Sequence, residues 1–67
     1  MEITLNNQIL TVSDNETLES ILKSNNLLNK KGIAVAINAS VIPKTNWSKT
    51  IINTNDNIMI ITATAGG

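Results

Sequence analysis

The sequence predicts an α+β domain in which a mixed sheet of four to five strands packs against one helix. Two observations support this class. Apolar and polar residues alternate at the start of the chain, as in a strand, and apolar residues follow a helical period once, after residue 17. A chain of 67 residues is small, and a domain of this size buries only roughly 60% of its unfolded surface. One helix on one face of a sheet is the economical arrangement for so small a domain.

The first hairpin is predicted by alternation on both sides of an asparagine pair. Met1–Leu5 alternates apolar and polar side chains, which is typical of a half-buried strand. Asn6 and Asn7 follow, and they favour a tight turn because asparagine tolerates positive φ better than most residues. Gln8–Val12 then predicts the second strand.

The helix is predicted where the apolar spacing changes to three and four residues. Leu18, Ile21 and Leu22 form one apolar stripe at this spacing. Thr17 is suited to the N-cap, and Glu19 lies in the first turn, where the helix dipole favours negative charge. We therefore expect a short helix that begins after Thr17.

Three further strands are predicted after the helix. Ile33–Ile37 alternates large aliphatic residues with alanines, Val41–Ile42 predicts a short strand, and Ile58–Ala63 predicts the last one. Pro43 has no N–H to donate, so regular pairing is expected to stop there. The last strand is apolar on both faces, which favours a central position in the sheet.

The segment Lys44–Asn57 is predicted to be a long irregular crossing held by Trp47 and by the pair Ile51 and Ile52. A single tryptophan in such a crossing is most often a structural plug, with its indole N–H bonded to a carbonyl or a water. We therefore predict a structural role for Trp47 in preference to a binding role.

The alternation also divides the sheet residues between a core face and an open face. The predicted core comprises Ile3, Leu5, Leu18, Ile21, Leu22, Val35, Ile37, Ile58 and Ile60. Met59 and Ile61 point the other way, beside Ala34 and Ala36, and no second helix is predicted to cover them. Exposed apolar patches often mark partner surfaces, so Met59, Ile61 and Ala36 are candidate partner-binding residues. A small sheet also leaves aliphatic carbon exposed without any function.

Composition argues against chemistry carried out by the chain's own side chains. The sequence has no cysteine and no histidine, which excludes disulfides, thiolate nucleophiles, common zinc sites and the usual general base. The five acidic residues are scattered without metal-ligand spacing, and the five lysines form no basic stripe. We expect no catalytic, metal-binding or cofactor-binding residues and no nucleic-acid partner.

Nothing in the sequence predicts a membrane or secreted location. The longest uninterrupted apolar stretch, Ile33–Ile37, is far too short to cross a bilayer. The first residues alternate like a strand and do not form a basic segment followed by an apolar one, so no secretory signal is predicted. The expected location is the cytoplasm, and no membrane partner is expected.

The end of the sequence is its most unusual feature. Two of the three glycines are Gly66 and Gly67, after the last apolar strand, where they turn nothing and cap no helix. They supply a slender tail ending in an α-carboxylate, which suits a partner enzyme with a narrow channel. The alternative is a frayed chain end or a cloning scar. We predict a domain over residues 1–63 and a flexible tail over residues 64–67.

Several segments together resemble a known family. They are the strand Ala34–Asn38, the segment Val41–Trp47, which contains Pro43, the segment Asp56–Ile58, and the terminal glycine pair. In these segments and in length, the chain is similar to the sulfur-carrier proteins of thiamine biosynthesis, the ThiS family. The resemblance implies their ubiquitin-like β-grasp fold and covers nearly the whole chain.

The resemblance also implies a function for the tail. Gly67 matches the glycine whose carboxylate is adenylated with ATP and then converted to a thiocarboxylate, and Gly66 matches the flexible penultimate residue. Gly66 and Ala65 occupy the tail positions that the partner enzyme is implied to recognise. The implied partners are an E1-like adenylating enzyme (ThiF-like) that uses ATP and magnesium, a sulfur donor such as a cysteine desulfurase, and thiazole synthase (ThiG-like). The chain itself is implied to be a carrier and not an enzyme.

The chain departs from the family pattern at a few positions, and other functions remain open. Ala39 and Asn55 stand where the family usually has glycine. Lys44 stands where the family often has arginine, and Ala65 stands where it often has a larger polar residue. The small subunit of molybdopterin synthase shares the fold and the glycine pair, but it is typically longer and has a Pro-Pro segment before its tail. A ubiquitin-like protein modifier and a plain interaction module are further alternatives.

Overall fold

The computed structural model describes residues 1–62. In chain order its elements are β1 (Glu2–Leu5), β2 (Gln8–Thr11), α1 (Leu18–Ser24), β3 (Ile33–Ile37), β4 (Ser40–Ile42), a 3₁₀ helix (Lys44–Lys49) and β5 (Asn57–Thr62). The strands form one five-stranded sheet in the order β2-β1-β5-β3-β4. Strands β1 and β5 are parallel and the other neighbours are antiparallel, so the sheet is mixed, as predicted.

The hairpin between β1 and β2 turns at the predicted asparagine pair. Asn6 has φ 50° and Asn7 has φ 68°, and the closing pair is Leu5 opposite Gln8. Two successive positive φ angles define the type of two-residue turn whose twist matches that of the flanking strands. The predicted hairpin is therefore confirmed.

Helix α1 begins at the predicted cap and ends at another left-handed asparagine. The hydroxyl of Thr17 accepts a 3.1 Å hydrogen bond from the N–H of Ser20, as an N-cap does. At the other end Asn26 has φ 62°, and the N–H of Leu27 donates to the carbonyl of Leu22 at 2.8 Å. This six-to-one bond is typical of a Schellman motif, which satisfies the last helical carbonyls.

The core lies between α1 and one face of the sheet. Its buried residues are Ile3, Leu5, Leu18, Ile21, Leu22, Val35, Trp47, Ile52 and Ile58. Ile37 and Ile60 were predicted for this set, but they are half-buried and only pack against it. Ile60 is less covered because β1 ends at Leu5, which pairs with Ile58, so no residue of β1 lies beside it.

The segment after Pro43 is more regular than predicted. The N–H of Asn46 donates to the carbonyl of Pro43 at 2.8 Å, and the 3₁₀ helix continues to Lys49. Trp47 is 4% exposed, and its Nε1 donates to the carbonyl of Ile42 at 3.0 Å, which confirms its predicted structural role. Of the two predicted isoleucine anchors, Ile52 is buried but its neighbour at position 51 is exposed.

Candidate functional site

Strand β5 connects the body of the protein to the residues that follow position 62. From its second residue onward β5 pairs with β3, from Ile58 opposite Ile37 to Thr62 opposite Ile33. On its other side β1 pairs only with Asn57 and Ile58. The chain beyond Thr62 is therefore attached to the central strand of the sheet, at the end where β3 begins.

The predicted tail residues Ala65, Gly66 and Gly67 lie outside the described residues. Their assignment as the modification site and its recognition segment therefore stays a prediction. The structure describes the strand that carries them and the two surfaces on either side of that strand.

The open face of the sheet brings together the three predicted partner-binding residues. Ala36 pairs with Met59, and Ala34 pairs with Ile61 two residues further along the strands. Because alternate residues of a strand point to the same face, the four side chains share one face. Ile61 is 52% exposed, Met59 is half-buried, and Ala36 is 6% exposed. Ala36 therefore forms the floor of this patch, and the accessible surface belongs to the larger side chains. A partner-binding role for the patch stays a prediction.

Strand β4 adds a residue to the patch that the sequence analysis missed. Val41 pairs with Ala36 on the side away from Met59, and its side chain is 64% exposed. The three residues form one row across β4, β3 and β5. The Asn38–Ala39 turn contained the necessary signal, because a two-residue turn makes Val41 the partner of Ala36. We call Val41, Ala34, Ala36, Met59 and Ile61 the open-face patch.

A polar network fixes the start of β5, and it involves residues that carry the family resemblance. Asn38 Nδ2 donates to Asp56 Oδ1 at 3.0 Å, and Asn38 Oδ1 accepts from the N–H of Asn57 at 2.9 Å. The other oxygen of Asp56, Oδ2, accepts from the N–H of Asn53 at 2.8 Å. Both carboxylate oxygens of Asp56 accept structural hydrogen bonds, so these motif residues position the start of β5.

The described part of the chain has no internal polar site. Over residues 1–62 no polar or charged side chain is buried, and no group of three or more acidic, histidine or cysteine residues is placed to hold a metal ion. In the same range, no helix is long and apolar enough to span a membrane. The features of these residues that can serve a partner are their surfaces and the strand that leads to the tail.

The fold defines the class of protein. A five-stranded mixed sheet with one helix packed on one face is the ubiquitin-like β-grasp architecture, and the glycine pair follows its central strand. The chain belongs to the ThiS family, whose family model matches residues 1–67.

Individual relatives agree with this assignment. The chain is 28% identical over 67 residues to the sulfur carrier protein ThiS of Escherichia coli (strain K12), and the match covers all of both chains. A crystal structure of the thiamine biosynthesis protein ThiS from Geobacter metallireducens superposes with a TM-score of 0.86 at 19% identity, again over all of both chains. A solution structure of a thiamine biosynthesis protein from the same organism gives a TM-score of 0.76 at 19% identity, covering 100% of this chain and 88% of that one. These two likenesses confirm the predicted fold.

Proposed function

We propose that this chain carries sulfur as a thiocarboxylate on the terminal carboxylate of Gly67 and delivers it for thiazole formation in thiamine biosynthesis. The observation that carries the proposal is the ThiS family match over residues 1–67, which includes the Gly66-Gly67 end. The name of the Escherichia coli relative, a sulfur carrier protein, supports the same function.

The chemistry requires activation because a free carboxylate is a poor acyl donor. In the proposed sequence the Gly67 carboxylate attacks the α-phosphorus of ATP and pyrophosphate leaves, which gives an acyl adenylate. Hydrosulfide then attacks the carbonyl carbon and AMP leaves, so that sulfur takes the place of one carboxylate oxygen. Sulfur that arrives as a persulfide would instead form an acyl disulfide as AMP leaves, and a thiol reductant would cleave that disulfide to the thiocarboxylate. The adenylating enzyme supplies ATP and magnesium, and this chain supplies the acyl group. Because the chain has no cysteine, no side-chain thiol of its own competes for that group.

The arrangement of the body supports a carrier role. The tail is attached to β5, and this strand also contributes Met59 and Ile61 to the open-face patch, with Ile61 one residue before Thr62. A partner that holds the patch would therefore also be close to the point where the tail begins. Exposed aliphatic side chains such as Ile61 and Val41 are suitable contacts for such a partner.

Three proteins are the proposed partners. An E1-like adenylating enzyme would activate the carboxylate, a cysteine desulfurase would provide the sulfur, and thiazole synthase would receive it. The chain itself would act as a co-substrate that these enzymes modify and unload, without catalysing a step.

Mass spectrometry of the intact protein tests the modification. After incubation with the cognate adenylating enzyme, ATP, magnesium and a sulfur source, the spectrum should show one oxygen replaced by sulfur. The control is a variant that lacks Gly67, which should remain unmodified. The same mass change in both proteins, or no change in either, would refute the assignment of Gly67.

A second assay tests the pathway. The modified protein should transfer its sulfur to thiazole synthase and return to the carboxylate form. Transfer to molybdopterin synthase partners would instead support the molybdopterin alternative, and isopeptide bonds to lysines of other proteins would support a protein modifier.

A further inference from the structure

The two edges of the sheet differ in how well they are protected against pairing with another strand. Strand β4 has only three residues and is followed directly by Pro43, and both features discourage a further strand. Strand β2, Gln8–Thr11, has four residues without a lysine, a proline or a bulge, and it forms the other edge. Natural proteins usually protect an edge strand with one of these features, so the open β2 edge needs an explanation.

The hydrogen bonds of the hairpin show which backbone groups β2 leaves free. The N–H of Val12 donates to the carbonyl of Met1 at 2.8 Å, and the amino group of Met1 donates back to the carbonyl of Val12 at 2.6 Å. In an antiparallel ladder such doubly bonded pairs alternate with unbonded pairs, so Leu10 also faces β1. The N–H and C=O groups of Ile9 and Thr11 therefore point outward from the sheet edge.

Apolar surface is available on both sides of this edge. On the helix side, a groove between β2 and α1 has the apolar residues Leu10, Val12 and Ile21 in its lining. The rest of its lining is polar and comprises Thr11, Ser13, Glu16, Ser24 and Asn25. On the other side, Ile9 is 69% exposed, the most exposed of the large aliphatic residues. Successive side chains of an added strand would alternate between these two surfaces, because strand residues point to opposite faces.

The charges around β2 identify the chemistry of its occupant. Residues 1–22 contain no lysine and four of the five acidic side chains, which are Glu2, Asp14, Glu16 and Glu19. All five lysines lie at positions 23–49. Carboxylates lie around the Thr11 end of β2, because Glu2 pairs with Thr11, and Asp14 and Glu16 follow the strand. The amino group of Met1 lies 3.7 Å from Asp14 Oδ1 and offsets one of these charges, so this end keeps an excess of negative charge. A second copy paired in the parallel direction would bring another acidic region against this one, and like charges oppose such pairing. A second copy paired in the antiparallel direction would place its acidic region beside Asn6, Asn7 and Gln8, which carry no positive charge to attract it.

We infer that the β2 edge is a strand-addition site for an extended segment of a partner protein, one with aliphatic side chains at alternate positions and with lysine or arginine next to the Thr11 end. Main-chain bonds to Ile9 and Thr11 would provide affinity, the groove and Ile9 would select aliphatic side chains, and the carboxylates would select basic ones. This site lies on the opposite edge of the sheet from β4 and does not depend on the chemistry of the tail.

A peptide titration followed by NMR tests the inference. The probe is a synthetic ten-residue peptide with alternating valine and threonine and a lysine pair at one end, titrated into the ¹⁵N-labelled full chain. We expect chemical-shift changes at Ile9, at Thr11 and along residues 12–16 and 21–25. The same peptide with glutamates in place of the lysines should bind more weakly, and added salt should reduce that difference.

Two matched variants locate the site on the protein. Ile9→Lys places a positive charge on the β2 edge and should raise the Kd of the lysine peptide by about tenfold or more. Val41→Lys places the same charge on an equally exposed residue of the β4 edge and should leave the Kd unchanged. A variant that lacks Gly67 should bind like the wild type, so this test is independent of the proposed sulfur chemistry.

Three results would overturn the inference. The first is the absence of shifts at the highest soluble peptide concentration. The second is a set of shifts centred on β4 or on the open-face patch. The third is concentration-dependent self-association in analytical ultracentrifugation that Ile9→Lys abolishes, because β2 would then be an interface with a second copy.

Discussion

The side-chain oxygen Oδ1 of Asn6 accepts a 2.8 Å hydrogen bond from the backbone N–H of Ile60, 54 residues further along the chain. The backbone N–H of Asn6 also donates to the carbonyl of Ile58 at 2.9 Å. Strand β1 ends at Leu5, so Asn6 extends the β1–β5 pairing with one backbone bond and one side-chain bond. One turn residue thus shapes the first hairpin and also holds the strand that carries the tail.

The Asn6 bond predicts a difference between two similar substitutions. Asn6 and Asn7 both have positive φ. Of these two residues, Asn6 alone makes a side-chain hydrogen bond within residues 1–62. Replacing either by alanine carries the same left-handed backbone cost, so Asn6→Ala should lower the free energy of unfolding by about 1 kcal/mol more than Asn7→Ala. Urea denaturation of both variants measures this difference, and equal losses would contradict a role for the side-chain bond.

The turn between β3 and β4 predicts a stabilising substitution. Ala39 has φ 72°, a left-handed conformation that alanine adopts at a cost and glycine adopts freely. Ala39→Gly should therefore raise the free energy of unfolding by about 0.5–1 kcal/mol, after allowing for the greater chain entropy of glycine. Ala34→Gly, within β3, is the control and should destabilise. A loss of stability in Ala39→Gly would mean that this turn is not strained.

Trp47 predicts a large loss of stability that can be divided into two contributions. Its ring is part of the core and its Nε1 bonds to the carbonyl of Ile42. Trp47→Ala should cost about 3–5 kcal/mol, which is enough to unfold much of so small a domain. Trp47→Phe keeps most of the apolar volume but loses the hydrogen bond, so it should cost less. Thermal unfolding monitored by circular dichroism separates the two, and a near-native melting temperature for Trp47→Ala would contradict the structural role.

The elements predicted correctly are those with strong local signals. The first hairpin depends on the two asparagines between alternating strands, and the start of α1 depends on Thr17, which caps the helix that follows it. Both signals lie within a few residues of the structure that they determine. The central position of β5 followed from its apolar character on both faces.

The features that were missed depend on contacts between distant segments. Ile51 and Ile52 are identical in type, and only the isolated bridge between Ile51 and Thr17, together with the bond from the N–H of Ile52 to the carbonyl of Glu16, determines which one points inward. Periodicity within one segment contains no information on which of the two isoleucines points inward. Val41 is a different case, because its pairing with Ala36 is local and is set by the two-residue Asn38–Ala39 turn.

The proposed tail chemistry predicts an effect of a small change at Gly66. Gly66→Val should leave the thermal stability unchanged, because the residue follows the last strand, but it should slow adenylation because a branched side chain would clash in a narrow channel. Pyrophosphate exchange with the cognate adenylating enzyme measures the first step directly. Unchanged exchange, or a large loss of stability, would contradict the idea that the partner requires a slender tail.

The open-face patch predicts opposite effects for two isoleucines on the same strand. Ile61 is 52% exposed on the open face, whereas Ile58 is fully buried on the core face. In the free protein the carboxylate of Ile61→Asp would lie in water, so we expect a loss of stability of only about 1 kcal/mol or less. Ile58→Asp would bury an unpaired charge and should unfold the domain.

Binding assays complete the comparison. In a complex with the adenylating enzyme or thiazole synthase, the charge of Ile61→Asp would be desolvated without a partner, so the affinity should fall by about tenfold or more. The matched control is Ile51→Asp, an equally exposed isoleucine outside the patch, which should bind normally. Equal affinities for wild type, Ile61→Asp and Ile51→Asp would show that partners do not use the open face, whereas equal losses in the two variants would indicate a nonspecific effect of charge.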